Sequence, residues 1–131
     1  MATLQVEVVA PERVVFSGEA TMVITRTLDG GDIAFLPGHA PFLGALVENH
    51  TRVHLPDGTV EDIAVHGGFV EVSENRVSIL SDLAERASEI DAERVQRELD
   101  QAEAKQAHEH DADVAAKIRR QHARLSVLGG S

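Results

Sequence analysis

Cysteine is absent from this 131-residue chain. That removes any disulfide framework, thiolate nucleophile or cysteine-based zinc site, and it fits a reducing compartment. Aromatic side chains make up only 3%, few rings for a site built by stacking on sugars. Long apolar runs are missing too. Ile33 to Leu36, and Ala45, Leu46 and Val47 with Phe42 and Leu43 just before Gly44, are among the longest, far below the roughly 20 residues a spanning helix needs. The segment Met1 to Val6 has neither the basic stretch nor the apolar run of a signal peptide, so the chain is expected to be mature and intracellular. Positive charge is scarce as well. Twelve Lys and Arg against 22 Asp and Glu give a formal net charge of −10. Affinity for nucleic acid comes from cations displacing counterions, so nucleic acid is not an expected partner.

What is present is a 43% hydrophobic content, enough for the core of one ordinary domain. The chain divides into halves of different composition. All prolines lie at or before Pro56, whereas Phe69 to Leu128 contains neither Gly nor Pro and its later part is rich in alanine and charge. The first half therefore reads as turn-punctuated strands and the second as helix. Leu4, Val6 and Val8 alternate with Gln5, Glu7 and Val9, the period of a half-buried strand. Short β-branched segments follow at residues 14–16, 20–26, 33–36, 51–55, 60–65, 69–73 and 77–80. Their spacing predicts a sandwich or barrel. Pro56-Asp57-Gly58-Thr59 and Ser73-Glu74-Asn75-Arg76 are its expected tight turns.

Beyond residue 84 the period becomes helical. Val95, Leu99 and Ala102 mark one apolar stripe, and Val114, Ile118 and Leu125 a second. Ser88 or Asp91 is placed to cap the first helix and Asp111 the second. The polar turn His108-Glu109-His110 between them is short, which forces an antiparallel hairpin. Its adjacent residues do not converge as ligands, and no metal site is expected. The expected class is α+β: a β-sandwich of about ten short strands over residues 1–84, then a two-helix hairpin over 85–131. Small alanine contacts bury little area, so this hairpin is expected to be an arm able to leave its dock. Its basic residues Lys117, Arg119, Arg120 and Arg124 fall late, near the helix C-terminus.

Leu36-Pro37-Gly38-His39-Ala40-Pro41-Phe42-Leu43, followed by His66-Gly67-Gly68-Phe69-Val70-Glu71-Val72, resembles the epsilon subunit of bacterial and chloroplast F-type ATP synthases. Val15-Phe16-Ser17-Gly18, Asn75 to Leu80, Ala84 to Ala87 and Ile90-Asp91 extend the resemblance in order over almost the whole chain. It implies a non-catalytic rotor part whose sandwich binds the foot of the gamma subunit and rests on the ring of c subunits. Rotation driven by protons is thereby coupled to the catalytic head. The helical arm either folds on the sandwich or extends toward the alpha and beta subunits, where it restrains ATP hydrolysis. The membrane is reached only indirectly, at the cytoplasmic face, as a peripheral part of the F1 complex.

The resemblance also implies site residues. Gly30, Gly31 and Asp32 occupy the family turn for ring contact, and His39 in the proline-flanked segment is a candidate for gamma. A plain surface turn and a conformational histidine account for the same residues. Some relatives bind regulatory ATP through a motif that here reads Ile90-Asp91-Ala92-Glu93-Arg94-Val95. Glu85, Asp91 and Arg94 match, with Arg120 and Arg124 as second-helix partners. Val95 stands in place of a small alanine, and Gln101 where a further arginine is found. Both departures count against ATP, and a helix cap at Asp91 with an ion pair at Arg94 explains the motif without a ligand. No cofactor is required. No Ser-His-Asp order, carboxylate pair or phosphate loop marks an enzyme. The rival reading is a free-standing sandwich that binds ligands or dimerises through its helices, although strict heptads do not persist.

Overall fold

A computed structural model of the chain describes residues 2–107 and 111–129. Eight strands come first: β1 (Leu4–Ala10), β2 (Arg13–Ala20), β3 (Met22–Thr27), β4 (Gly31–Phe35), β5 (Phe42–His54), β6 (Val60–Ser73), β7 (Arg76–Leu80) and β8 (Ala84–Arg86). A 3-10 turn over Ala87–Glu89 leads to helices α1 (Ala92–Gln106) and α2 (Ala112–Gly129). The strands hydrogen-bond in the order β2-β1-β7-β6-β5-β3-β4, with β8 also on β6. All pairs are antiparallel except β1 with β7.

The two long strands make this sheet a sandwich. In β5 the buried positions change from Leu46 to Asn49, Thr51 and Val53, and in β6 from Ile63 and Val65 to Val70 and Val72. A change of parity turns the other face inward, which needs a bend in each strand. It falls at Val47 and at Gly67 and Gly68, whose φ values are +78° and +105°. The C-terminal half of β6 pairs with β7 and its N-terminal half with β8. Both layers therefore share β5 and β6. That is why eight continuous strands stand where about ten were expected. The backbone packs closely at the second glycine, because a Cβ on Gly68 would collide with the Leu80 carbonyl.

The layers enclose one core that draws on every strand, from Leu4, Val6 and Val8 through Phe35 and Ile63 to Ala84. Burial of such aliphatic side chains stabilises by about 1.5–3 kcal/mol each. Among the buried polar side chains, Thr25, Asn49 and Thr51 form one group. Asn49 Oδ1 accepts from the hydroxyls of Thr25 and Thr51 at 3.2 and 2.9 Å, and its Nδ2 donates to Val47 O at 2.8 Å. The group is satisfied internally, as burial of polar atoms demands.

Both expected turns form. Asp57 Oδ1 accepts from Thr59 N at 2.9 Å beside Gly58 at φ +91°. Glu74 and Asn75 both adopt positive φ, as a two-residue hairpin requires. Asp91 caps α1 by accepting from Arg94 N at 3.2 Å, and Asp111 accepts from Asp113 N at 2.8 Å, while Ser88 lies in the 3-10 turn. The α1 stripe is Val95, Leu99 and Ala102, as read. The α2 stripe differs. Val114 is buried, but Ile118 and Leu125 are half-buried, and Gln121, Ala123 and Val127 take their place. Unlike α1, this helix has to face both α1 and the sheet, which shifts its buried side. Among the described residues no helix is long and apolar enough to cross a membrane.

Candidate interaction and regulatory sites

Two opposite surfaces of the sandwich carry unusual side chains. On one layer, Ala45 pairs with Phe69, Phe69 with Leu80, and Leu80 with Val9. These neighbours form a row across four strands, and Leu43 extends it along β5. Phe69 and Leu80 are each 57% exposed and Leu43 is 70% exposed. Outward strand positions normally carry polar residues, as Glu71, Glu7 and Gln5 do nearby. The sequence reading missed this row. Its signal was the outward phase of Leu43, Phe69 and Leu80, which becomes visible only once strand register is known.

The β3–β4 turn adjoins the row, since Leu28 N donates to Ala45 O at 2.8 Å. Thr27 Oγ1 accepts from Gly30 N at 3.0 Å, and Gly31 has φ +70°, so both glycines serve the turn geometry. Asp32 accepts from Arg26 Nε at 2.9 Å. This hydrogen bond holds the Asp32 carboxyl below its usual range, against a smaller opposing effect of burial. Residues 28–41 do not form one loop, because β4 separates the turn from His39. At about 3.3 Å per residue, the five-residue strand puts them roughly 16 Å apart. His39 Nδ1 lies 2.6 Å from Ala40 O, and its ring meets Phe35 edge-on at 4.9 Å. The loop is pinned by Gly38 N donating to Asn75 Oδ1 at 2.6 Å.

On the other layer, α2 lies over the outward face of β5 and β6. The contact is polar. His50 Nε2 is 2.6 Å from Asp62 Oδ1, and its Nδ1 is 3.2 Å from Ser126 Oγ. His66 Nε2 is 3.0 Å from Glu85 Oε1, and Arg124 Nε donates to the same oxygen at 2.7 Å. Burial alone raises the Glu85 carboxyl, but hydrogen bonds and charge from His66 and Arg124 outweigh it, lowering the group to about 2. The chain of contacts continues into α1. Arg124 donates to Gln121 Oε1 at 3.1 Å, Gln121 donates to Glu98 at 2.8 Å, and Arg94 donates to Glu98 at 3.1 Å. Gln121 is only 1% exposed.

This network gathers most of the nucleotide candidates. Glu85, Asp91, Arg94 and Arg124 line one groove of about 190 Å³, together with Val95 and Glu98. Arg120 is not among its lining residues. The groove is smaller than the roughly 300 Å³ at which small-molecule pockets begin, and Arg94 and Arg124 are each already paired with a carboxylate. Sequence reasoning found the arginines but not Glu98, Gln121, His50 or Asp62, which meet them only through tertiary packing. The turn His108 to His110 lies outside the described residues.

Residues 3–87 match the family model described as ATP synthase, Delta/Epsilon chain, beta-sandwich domain. The ATP synthase epsilon chain of Streptomyces griseus subsp. griseus is 44% identical over 97% of this chain and 96% of its own length. That of Streptomyces avermitilis is 48% identical over 79% of this chain and 82% of its own. The chain belongs to the ATP synthase epsilon chain family. Members are non-catalytic subunits of the synthase, and the rival reading of a free-standing sandwich gives way. The fold recurs in a chain of the Euglena gracilis mitochondrial ATP synthase, OSCP/F1/c-ring in rotational state 1, with TM-score 0.75 and 21% identity. That match covers 98% of this chain and 79% of the other. A chain of the Tetrahymena thermophila mitochondrial ATP synthase central stalk and c-ring matches at TM-score 0.63 and 18% identity, over 98% of this chain and 96% of its own.

Proposed function

We propose that this epsilon-family chain is a central-stalk subunit whose sandwich binds the gamma subunit and rests on the c-ring, with α1 and α2 as a regulatory arm. The observation that carries this is the wet apolar row of Leu43, Ala45, Phe69, Leu80 and Val9 on the layer the arm leaves uncovered. A contiguous apolar strip on an otherwise acidic surface is what a stable partner covers. Gamma is the partner assigned to it. The adjoining turn offers the ring Gly30 and Gly31 for close backbone approach and an ionised Asp32 for its polar loops. His39 contributes by shaping the loop at the other end of β4. The chain is thereby held as a peripheral component at the cytoplasmic face of the cell membrane.

The arm's dock is reversible because it rests on ion pairs and small side chains, which exchange readily for water. Extended, it reaches the alpha and beta subunits and restrains ATP hydrolysis. Convergence of Glu85, Asp91, Arg94 and Arg124 favours regulatory ATP as a second role for the arm, with the nucleotide displacing carboxylates from Arg94 and Arg124. Arg120 joins them only if α2 shifts.

Deleting residues 88–131 tests the arm in the assembled synthase. ATP hydrolysis should rise while the truncated chain still co-purifies with gamma and the c-ring. An unchanged hydrolysis rate refutes the restraint, and loss of co-purification refutes attachment through the sandwich. MgATP titration of the full chain tests the second role, which fails if Arg94→Gln leaves the response unchanged.

A further inference from the structure

A further cavity lies apart from both the motif groove and the apolar row. A cleft of about 680 Å³ opens between the outward face of β3 and β5 and the flank of α2 opposite α1. That volume lies inside the range of roughly 300–1,000 Å³ typical of small-molecule sites. Its walls differ in kind. Arg26, Arg52, Arg119 and His122 line it as cations or potential cations, and Leu28, Val47 and Ala123 line it as apolar surface.

The charge here runs against the chain. Only four arginines and no lysine occur within residues 1–83 of a protein of net charge −10, and two of the four, Arg26 and Arg52, share this cleft. Asp32 and Glu48 are the carboxylates present, set against three guanidinium groups. Arg26 is engaged by Asp32, whereas Arg119 reaches Glu48 only at 3.4 Å. Arg52 forms no ion pair among the described residues and acts on Asp32, already held by Arg26, only from longer range. Its cross-strand neighbour Asp62 is occupied by His50 at 2.6 Å. A planar guanidinium without its own carboxylate, beside a second held at long distance, is a ready receptor for a phosphoryl group.

We infer that the cleft between β3, β5 and α2 binds a small phosphoryl-bearing anion, with Arg52 and Arg119 as its principal ligands. Arg52 belongs to the sandwich and Arg119 to the arm, so the anion bridges the two. Binding stabilises the docked pose by mass action, because undocking removes half of the site. The apolar wall is positioned to take an attached ring or chain. This site is separate from the Asp91 and Arg94 groove, and its existence does not depend on nucleotide binding there.

The test is calorimetric titration of the full chain with inorganic pyrophosphate at low ionic strength, with amide exchange of α2 followed in parallel. Saturable binding is expected, with slower exchange in α2. Arg52→Gln and Arg119→Gln should each weaken binding at least tenfold, while Arg76→Gln, an exposed position on β7 outside the cleft, binds as the unaltered chain does. Absence of binding at millimolar pyrophosphate overturns the inference. So does binding that survives both cleft substitutions, or that is lost only in Arg94→Gln. A parallel titration with ADP separates two sources of the anion, both supporting the site. Tighter ADP assigns the apolar wall to a base, and equal affinity assigns the cleft to the phosphate chain alone.

Discussion

Arg124 on the last helix donates to Glu85 on the last strand at 2.7 Å, through the same oxygen that stands 3.0 Å from His66 on β6. One carboxylate oxygen thus ties arm to sandwich. The docked pose depends on Glu85 being ionised, and the pH response has a definite sign. Its carboxyl lies at about 2 in the folded chain against an ordinary 4.5. The contribution is therefore complete above about pH 4.5 and is lost as pH falls toward 2. Discounted for partial exposure, it amounts to about 1–2 kcal/mol. Amide exchange of α2 should accelerate over that window before the β-sheet amides respond. Glu85→Gln should show the faster exchange already at pH 7.

Phe69→Asp should leave the isolated chain folded, because a 57% exposed side chain contributes little to the core. Its unfolding free energy is expected to change by about 0.5 kcal/mol or less. Attachment should fail nonetheless, since a carboxylate would be buried without a partner at the centre of the apolar row. Pull-down with the gamma subunit measures this. Retention at the level of the unsubstituted chain would assign gamma to another face.

Gly68→Ala should destabilise the sandwich by about 2–4 kcal/mol in denaturant titration. The position combines φ +105° with a Cβ direction blocked by the Leu80 carbonyl, which is backbone and cannot swing aside. Gly58→Ala, at φ +91° in open surroundings, should cost only about 1 kcal/mol. Equal costs would remove close packing of β6 on β7 as the cause.

Asn49→Ala removes the acceptor shared by Thr25 and Thr51 and leaves the Val47 carbonyl without its 2.8 Å donor. The two hydroxyls retain each other at 2.9 Å. A loss of about 1–3 kcal/mol is expected from the exposed need for hydrogen bonds in a dry interior. Chemical denaturation of the full chain checks it.

Much of this molecule was legible in order of residues alone. Alternation at Leu4, Val6 and Val8 gave a strand, Asp57-Gly58 a turn, Asp91 a cap, and Val95, Leu99 and Ala102 a buried stripe, because each depends on neighbours within a few residues. The two proline- and glycine-marked motifs pointed to the family, and the match over residues 3–87 agrees. What lay beyond sequence was every property that depends on residues far apart. Leu43, Phe69 and Leu80 become one surface only when β5, β6 and β7 take their register. Arg26, Arg52 and Arg119 become one cleft only when α2 lies on the sheet. Glu85 becomes a strongly held carboxylate because His66 and Arg124 arrive from 19 and 39 residues away. Local preferences determined the elements, while long-range pairing, whose energy no short window contains, decided which charges and apolar side chains face one another.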